Sequence, residues 1–188
     1  GDVIFKDVNN DGVIDNDDRV VIGNTNPDLF GSFSANFKWK RLSISGLFNF
    51  SVGNNLYNGV RNNLEKMSGY ENQSIAVRNR WVAEGQQTTI PRAVWGDQLG
   101  NASFSDRWIE DGSFLRLKTL VVAYDIALDL EYIKSVKLYA SANNLFTLTD
   151  YLGYDPEFSA TSSIFGQGAD LGLMPQFTTI QMGLRLGL

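Results

Sequence analysis

Six acidic side chains crowd the first eighteen residues, Asp2, Asp7, Asp11, Asp15, Asp17 and Asp18, against the single base Lys6. Residues 7–18 read Asp-Val-Asn-Asn-Asp-Gly-Val-Ile-Asp-Asn-Asp-Asp. Oxygen-bearing side chains fall at positions 1, 3, 5 and 9 of that stretch (Asp7, Asn9, Asp11, Asp15), glycine at position 6 (Gly12), and Asp18 closes it at position 12. Calcium takes six to eight oxygen ligands at about 2.3–2.6 Å, and this spacing turns alternate side chains toward one point. The backbone carbonyl of position 7, here Val13, is a further donor, and Gly12 permits the sharp turn. The chemistry expected here is binding of a hard cation.

Position 12 of an EF-hand loop is normally a glutamate that reaches in bidentately. Asp18 departs from that and resembles the loops of extracellular calcium modules such as dockerins. No helical pattern precedes the loop, because residues 2–5 (Asp-Val-Ile-Phe) look extended. The spacing therefore predicts a solitary EF-hand/dockerin-like loop over residues 7–18, holding a structural Ca2+ through Asp7, Asn9, Asp11, Val13, Asp15 and Asp18, with Ile14 as its anchor to a core. An affinity of about 10⁻⁴–10⁻³ M, or somewhat tighter, belongs to such a role. Without a cation the same run reads as a solvated acidic loop.

The rest of the chain is electrically neutral. The whole sequence has 16 basic and 21 acidic residues, giving −5, and residues 1–18 alone already sum to −5. There is no histidine and no cysteine. That excludes a Ser-His-Asp triad, Cys-His nucleophilic catalysis, His/Cys zinc sites and any disulfide framework. An acidic balance also argues against a nucleic-acid partner. Glu110 and Asp111 are the obvious carboxylate pair for a hydrolase, but neighbours on a strand point to opposite faces. Asp106 and Glu110 share a face only on a regular strand, and nothing else supports that reading. Gly166-Gln167-Gly168 lacks the strand-then-helix setting and third glycine of a dinucleotide loop. No enzymatic activity is expected.

The elements that must carry these residues are strands. Residues 32–40 set Phe33, Ala35, Phe37 and Trp39 against Ser32, Ser34, Asn36, Lys38 and Lys40. After a turn at Lys40-Arg41, Leu42, Ile44, Gly46, Phe48 and Phe50 share a side. Residues 113–126 place Leu115, Leu117, Thr119, Val121 and Ala123 opposite Arg116 and Lys118, and 133–146 place Val136, Leu138, Ala140 and Ala142 opposite Lys137, Tyr139, Ser141 and Asn143. Residues 176–188 carry Thr178, Ile180, Met182, Leu184, Leu186 and Leu188 on one face. Period-two alternation of this length predicts five long strands. Short and long connections alternate: about two residues, about 60, about six (127–132), then about 29. That layout predicts an all-β fold of antiparallel up-and-down strands from a transmembrane barrel, with apolar face to outer-membrane lipid and Trp39 as a girdle aromatic. Short amphipathic helices are expected over 54–67 (Tyr57, Val60, Leu64, Met67) and from Ser74 to Ala83 (Val77, Trp81). The alternative is a secreted, calcium-stabilised β-sandwich that binds carbohydrate, whose strands would alternate in the same way.

Further motifs run along the chain: Gly-Asn-Thr-Asn-Pro at 23–27, Tyr-Asn at 57–58, Arg-Trp at 80–81 and Ile-Pro-Arg at 90–92. Arg-Trp-Ile-Glu-Asp-Gly-Ser-Phe-Leu-Arg-Leu-Lys follows at 107–118, then Asn-Asn-Leu-Phe-Thr-Leu-Thr-Asp-Tyr at 143–151 and Gly-Tyr-Asp-Pro-Glu at 153–157. With Asp-Val-Asn-Asn-Asp-Gly-Val-Ile-Asp at 7–15, this series resembles the C-terminal part of the SusC/RagA family of TonB-dependent outer-membrane transporters of Bacteroidetes. The resemblance implies a plugged barrel of about 22 strands that imports oligosaccharides or peptides across a Gram-negative outer membrane. It implies TonB as the energy source, acting through an N-terminal part, and a SusD-like surface lipoprotein as lid, with the 7–18 loop extracellular and near that lid. The family usually ends in an aromatic residue, where this sequence has Leu188. Five strands cannot close a barrel that needs at least about eight, so 1–188 is expected to be one C-terminal segment of a longer receptor.

Overall fold

Alternation of apolar and polar residues is realised as five long strands of one antiparallel sheet. The computed structural model describes residues 1–127, 133–158 and 166–187; the expected connection at 128–132 and the stripe's last member, Leu188, lie outside the described residues. In chain order the elements are β1 (Leu29–Trp39), β2 (Leu42–Val52), β3 (Asn55–Asn58), α1 (Gly59–Glu65), β4 (Ile109–Asp111), β5 (Phe114–Ile126), β6 (Ser135–Thr149), β7 (Ala169–Asp170) and β8 (Thr179–Gly187). They form two units. One comprises residues 26–54, 111–158 and 174–187; the other comprises 1–25, 55–110 and 166–173.

In the first unit the sheet order is β1-β2-β5-β6-β8. Each neighbouring pair is antiparallel. The strands run to 11, 11, 13, 15 and 9 residues, beyond the five or six usual in soluble sheets and near the ~9–11 of membrane strands. The register gathers one apolar face across all five. Phe37, Ile44, Val122, Ala140 and Met182 form one row. Trp39, Leu42, Tyr124, Leu138 and Leu184 form the next. Ser34, Ser45, Val121, Ser141 and Gln181 belong to the opposite face, which is mostly polar. Phe33 stacks on Phe48 at 4.9 Å within the apolar face. On that face Met182 is 82% exposed.

One strand departs from strict alternation. Leu47 pairs Thr119 while the next residue, Phe48, pairs Leu117, so Lys118 is an extra residue in β5. The pairing with β6 shifts at the same place. A bulge of this kind flips every side chain beyond it. Leu120, Val122 and Tyr124 therefore continue the apolar face of Leu115 and Leu117, whereas Thr119, Val121 and Ala123 join Arg116 on the polar face. The expected grouping of Thr119, Val121 and Ala123 with Leu115 and Leu117 is corrected by that single residue. The other end of the sheet behaves as expected: Trp39 pairs Leu42 across Lys40-Arg41, with Lys40 at φ +52°.

In the second unit β3 and β7 pair in parallel within the three-stranded order β4-β3-β7. The helix expected over 54–67 is confined to Gly59–Glu65. Asn58 stops it from starting earlier, because its side chain accepts the Arg61 amide at 2.8 Å as an N-cap. Tyr57 is committed to the strand and donates its amide to the Gly168 carbonyl. Gly59 is required by a close approach: a Cβ there would lie 2.8 Å from the Asp170 carbonyl oxygen. The second helix is a 3-10 turn, Ile75–Asn79, capped by the Ser74 hydroxyl as expected. It ends before Trp81, whose amide donates instead to the Ile90 carbonyl. Leu56, Met67, Val77 and Trp108 are the buried apolar residues of this unit.

Candidate functional site

The acidic loop curls around its own backbone amides. The Asp7 carboxylate accepts from Asn10 at 2.6 Å and from Gly12 at 2.8 Å. Asn9 Oδ1 accepts from Asp11, Asp11 Oδ1 from Val13, and Asp15 Oδ1 from Asp17. Asp18 reaches back to the Val8 amide at 2.7 Å and the Asp15 amide at 2.9 Å, completing a capping box with Asp15. Gly12 holds φ +82°, the conformation for which its lack of a Cβ suits it. The amides of Asp15 and Val8 hold the Asp18 carboxyl below its ordinary value of 3.8. The structure thus brings Asp7, Asn9, Asp11, Val13, Asp15 and Asp18 into one hydrogen-bonded loop. Among the described residues, no group of three or more acidic side chains is gathered closely enough to hold a metal ion. Ile14 does not anchor the loop, being 51% exposed.

The 107–118 motif supplies the centre of the second unit. Trp108 is 1% exposed and donates its indole N–H to the Ser103 carbonyl at 3.1 Å. The guanidiniums of Arg61 and Arg107 lie over its ring at 5.2 and 4.8 Å. Each has a carboxylate: Arg61 pairs Glu110 at 3.0 Å and Arg107 pairs Glu65 at 3.7 Å. Burial pushes the Arg107 guanidinium below its ordinary value, an effect that Glu65 opposes. Asn58 donates to both oxygens of Glu110. Glu110 is therefore occupied by Asn58 and Arg61, and Asp106 lies in a 3-10 turn rather than on a strand with it. Glu110 and Glu65 thus hold structure together, and Asp106 shares no strand face with Glu110. The loop aromatics separate too: Tyr57 packs on Phe104 at 5.1 Å and Tyr70 sits edge-on to Trp95 at 4.7 Å.

A third cluster was not legible from spacing. Arg116, on the polar face of β5, is 2% exposed. Its guanidinium binds Asp155, reaches Glu157 at 2.8 Å, and donates through Nε to the Thr147 hydroxyl on β6 at 2.8 Å. Lys118, the bulge residue, also reaches Glu157, at 3.3 Å. Asp155 further accepts the amides of Glu157 and Gln176, each at 2.8 Å. Arg116 and Lys118, two apart in β5, turn to the same side with Leu117 between them on the other. The available signal was two bases two apart in an apolar strand and two acids two apart at 155 and 157. The cluster holds no nucleophile, and its two cations and two carboxylates cancel, so its chemistry is positioning.

The first unit is one antiparallel sheet of long, two-faced strands with an apolar face and a mostly polar one. Comparison with known proteins gives its class. The chain is 33% identical over 197 residues to TonB-dependent receptor P26 of Formosa agariphila, covering 99% of this chain and 19% of that protein. It is 23% identical to TonB-dependent receptor SusC of Bacteroides thetaiotaomicron, over 97% of this chain and 17% of that one. Among solved structures, the RagAB peptide transporter superposes with a TM-score of 0.76 at 26% identity, over 93% of this chain and 19% of that chain. The closed-closed state of the RagAB peptide importer gives 0.72 at 27% identity, over 88% of this chain and 18% of that chain. No family model matches. The chain is a segment of a TonB-dependent receptor. Within that class it belongs to the SusC/RagA family, and it spans about a fifth of the length of the relatives it matches.

Proposed function

We propose that this chain is the C-terminal part of the barrel of a SusC/RagA-type importer in the outer membrane of a Gram-negative bacterium. On this reading the row Phe37, Ile44, Val122, Ala140, Met182 and its neighbours meet lipid, and the opposite face lines the lumen. The observation that carries the proposal is the register. A sheet whose apolar face continues unbroken through a bulge, across five strands, is suited to a hydrocarbon boundary. The connections that leave Val52 and Thr149 are then extracellular. The cargo is an oligosaccharide or a peptide, the partner is a SusD-like surface lipoprotein, and TonB acts through a part of the receptor outside this chain. The 7–18 loop takes a structural Ca2+ through Asp7, Asn9, Asp11, Asp15, Asp18 and the Val13 carbonyl. Oxygens that already accept one amide keep a second lone pair for a cation, which is what fits this donor set to calcium.

The test is deletion of the complete receptor gene from its host, with uptake of labelled oligosaccharides and labelled peptides compared against complemented cells. The expected result is a receptor in the outer-membrane fraction, co-purifying with a surface lipoprotein, and loss of uptake of one of the two cargo classes. A receptor released in soluble form, with both uptakes unchanged, overturns the proposal.

A further inference from the structure

We infer that Arg116, Asp155, Glu157 and Lys118 form a charge latch, which holds residues 153–157 and Gln176 on the polar face of the sheet and can open while the sheet stays folded. Its two sides are built differently. The cationic side is fixed to the sheet by contacts of its own: Arg116 bonds Thr147 on β6 and stacks over Phe114 at 5.7 Å. The anionic side belongs to the segment that leaves β6 at Thr149. Asp155 and Glu157 both tie that segment to Arg116, and Asp155 also takes the Gln176 amide just before β8. Loss of the Asp155 carboxylate therefore removes the one acceptor shared by the Glu157 and Gln176 amides, leaving Glu157 as the remaining tie to Arg116 and Lys118.

The chemistry of the attachment suits reversible opening. Arg116 and Asp155 are 2% and 6% exposed, and charges buried to that degree forfeit most of their hydration. An ion pair in such a place contributes far less net stability than its Coulomb energy, because both partners regain water when they part. Two cations face two carboxylates, so neither the closed nor the open state carries excess charge. An apolar seat of the same area would resist opening more strongly. The latch itself rests on geometry; only its consequence rests on the proposed function. With the polar face lining a lumen, the closed latch sets residues 153–157, including the exposed Tyr154, in the path of the cargo.

Hydrogen–deuterium exchange on the complete receptor in detergent micelles tests the latch. In the wild type, the amides of Glu157 and Gln176 should exchange with a common protection factor at least tenfold below those of central β5 and β6. Asp155→Asn should lower both by the same further factor, of tenfold or more, and leave the β5 and β6 amides unchanged. If Glu157 and Gln176 are as protected as the sheet in the wild type, or respond to the substitution by different factors, the latch is overturned. The wild-type comparison decides even if the variant fails to assemble. Uptake is scored separately: exchange as expected with no transport by the wild type refutes the transporter reading and leaves the latch standing.

Discussion

Ala35 offers a clean probe of which solvent the apolar face meets. It lies on that face in mid-strand, six residues from Leu29 and four from Trp39, opposite Gly46 on β2. Ser34 is its neighbour on the polar face, opposite Leu47. The ten steps from Leu29 to Trp39, at about 3.3 Å each and a tilt of about 40°, give a height of about 25 Å, the thickness of a barrel's apolar band. On the proposed reading Ala35 stands near the bilayer midplane, and substituting it removes almost no packing of its own. An arginine there should cost about 2–4 kcal/mol, whereas one at Leu29, at the edge of the band, should cost about 0–1 kcal/mol. Ser34→Arg, facing a polar lumen at nearly the same depth, should cost about nothing. A difference of about 3 kcal/mol between Ala35→Arg and Ser34→Arg is roughly a hundredfold in the folding equilibrium. The assay is urea titration of the complete receptor in lipid vesicles, read by the mobility difference between folded and unfolded barrel on unheated gels. Equal costs for Ala35→Arg and Ser34→Arg would refute the lipid assignment. So would a monomeric, detergent-free receptor that unfolds cooperatively, because the apolar face would then be the core of a soluble sandwich.

The proposed calcium site predicts that Asp7→Ala or Asp11→Ala abolishes calcium-dependent protection of residues 7–18 from proteolysis; equal cleavage of the unmutated receptor with calcium and with chelator counts against the ion. The lowered Asp18 carboxyl gives a pH dependence. A depressed folded-state value contributes order above the ordinary value of 3.8, which is lost as pH falls through the lower one. Protection of the Val8 amide should accordingly be full at pH 5 and disappear well below pH 3.8, and a loss already complete at pH 5 would contradict the assignment. In the second unit, Trp108→Ala should destabilise by about 3–5 kcal/mol through the cavity it leaves. Trp108→Phe, which chiefly loses the bond to Ser103, should cost about 1 kcal/mol. Exchange protection of α1 reports both, and equal protection in Trp108→Ala and wild type would show that Trp108 does not hold this unit together.

The sheet was legible because its determinant is local: side chains alternate with a period of two wherever the backbone is extended, and all five expected strands are present. What spacing could not supply was the parity change in β5. Lys118 looks like one more polar position opposite Leu117, and only the partner strands reveal it as an inserted residue. The helix over 54–67 was over-read for a related reason. Tyr57, Val60, Leu64 and Met67 have helical spacing, yet Tyr57 finds a backbone partner in Gly168, more than a hundred residues away. Long-range pairing overrode the local pattern there. The same holds for Arg116, whose partners arrive from 147, 155 and 157. The loop at 7–18 is the opposite case, since every bond that shapes it lies within twelve residues.

Charge distribution links that loop to the rest of the chain. Beyond residue 18 the sequence is neutral by count, with 15 basic and 15 acidic residues, and part of that charge is paired. Arg61 has Glu110, Arg107 has Glu65, Arg116 and Lys118 share Asp155 and Glu157, and Lys137 has Asp125. Among the described residues, no such pair reaches into residues 7–18: Asp7, Asp11, Asp15, Asp17 and Asp18 bring their charges together without a cation from this chain. Backbone amides satisfy their hydrogen bonds but not their mutual repulsion. On the proposed reading, the counter-charge for these five carboxylates comes from solution. A divalent cation with a preference for oxygen answers both the charge and the spacing, and would bring the net charge from −5 to −5 + 2 = −3.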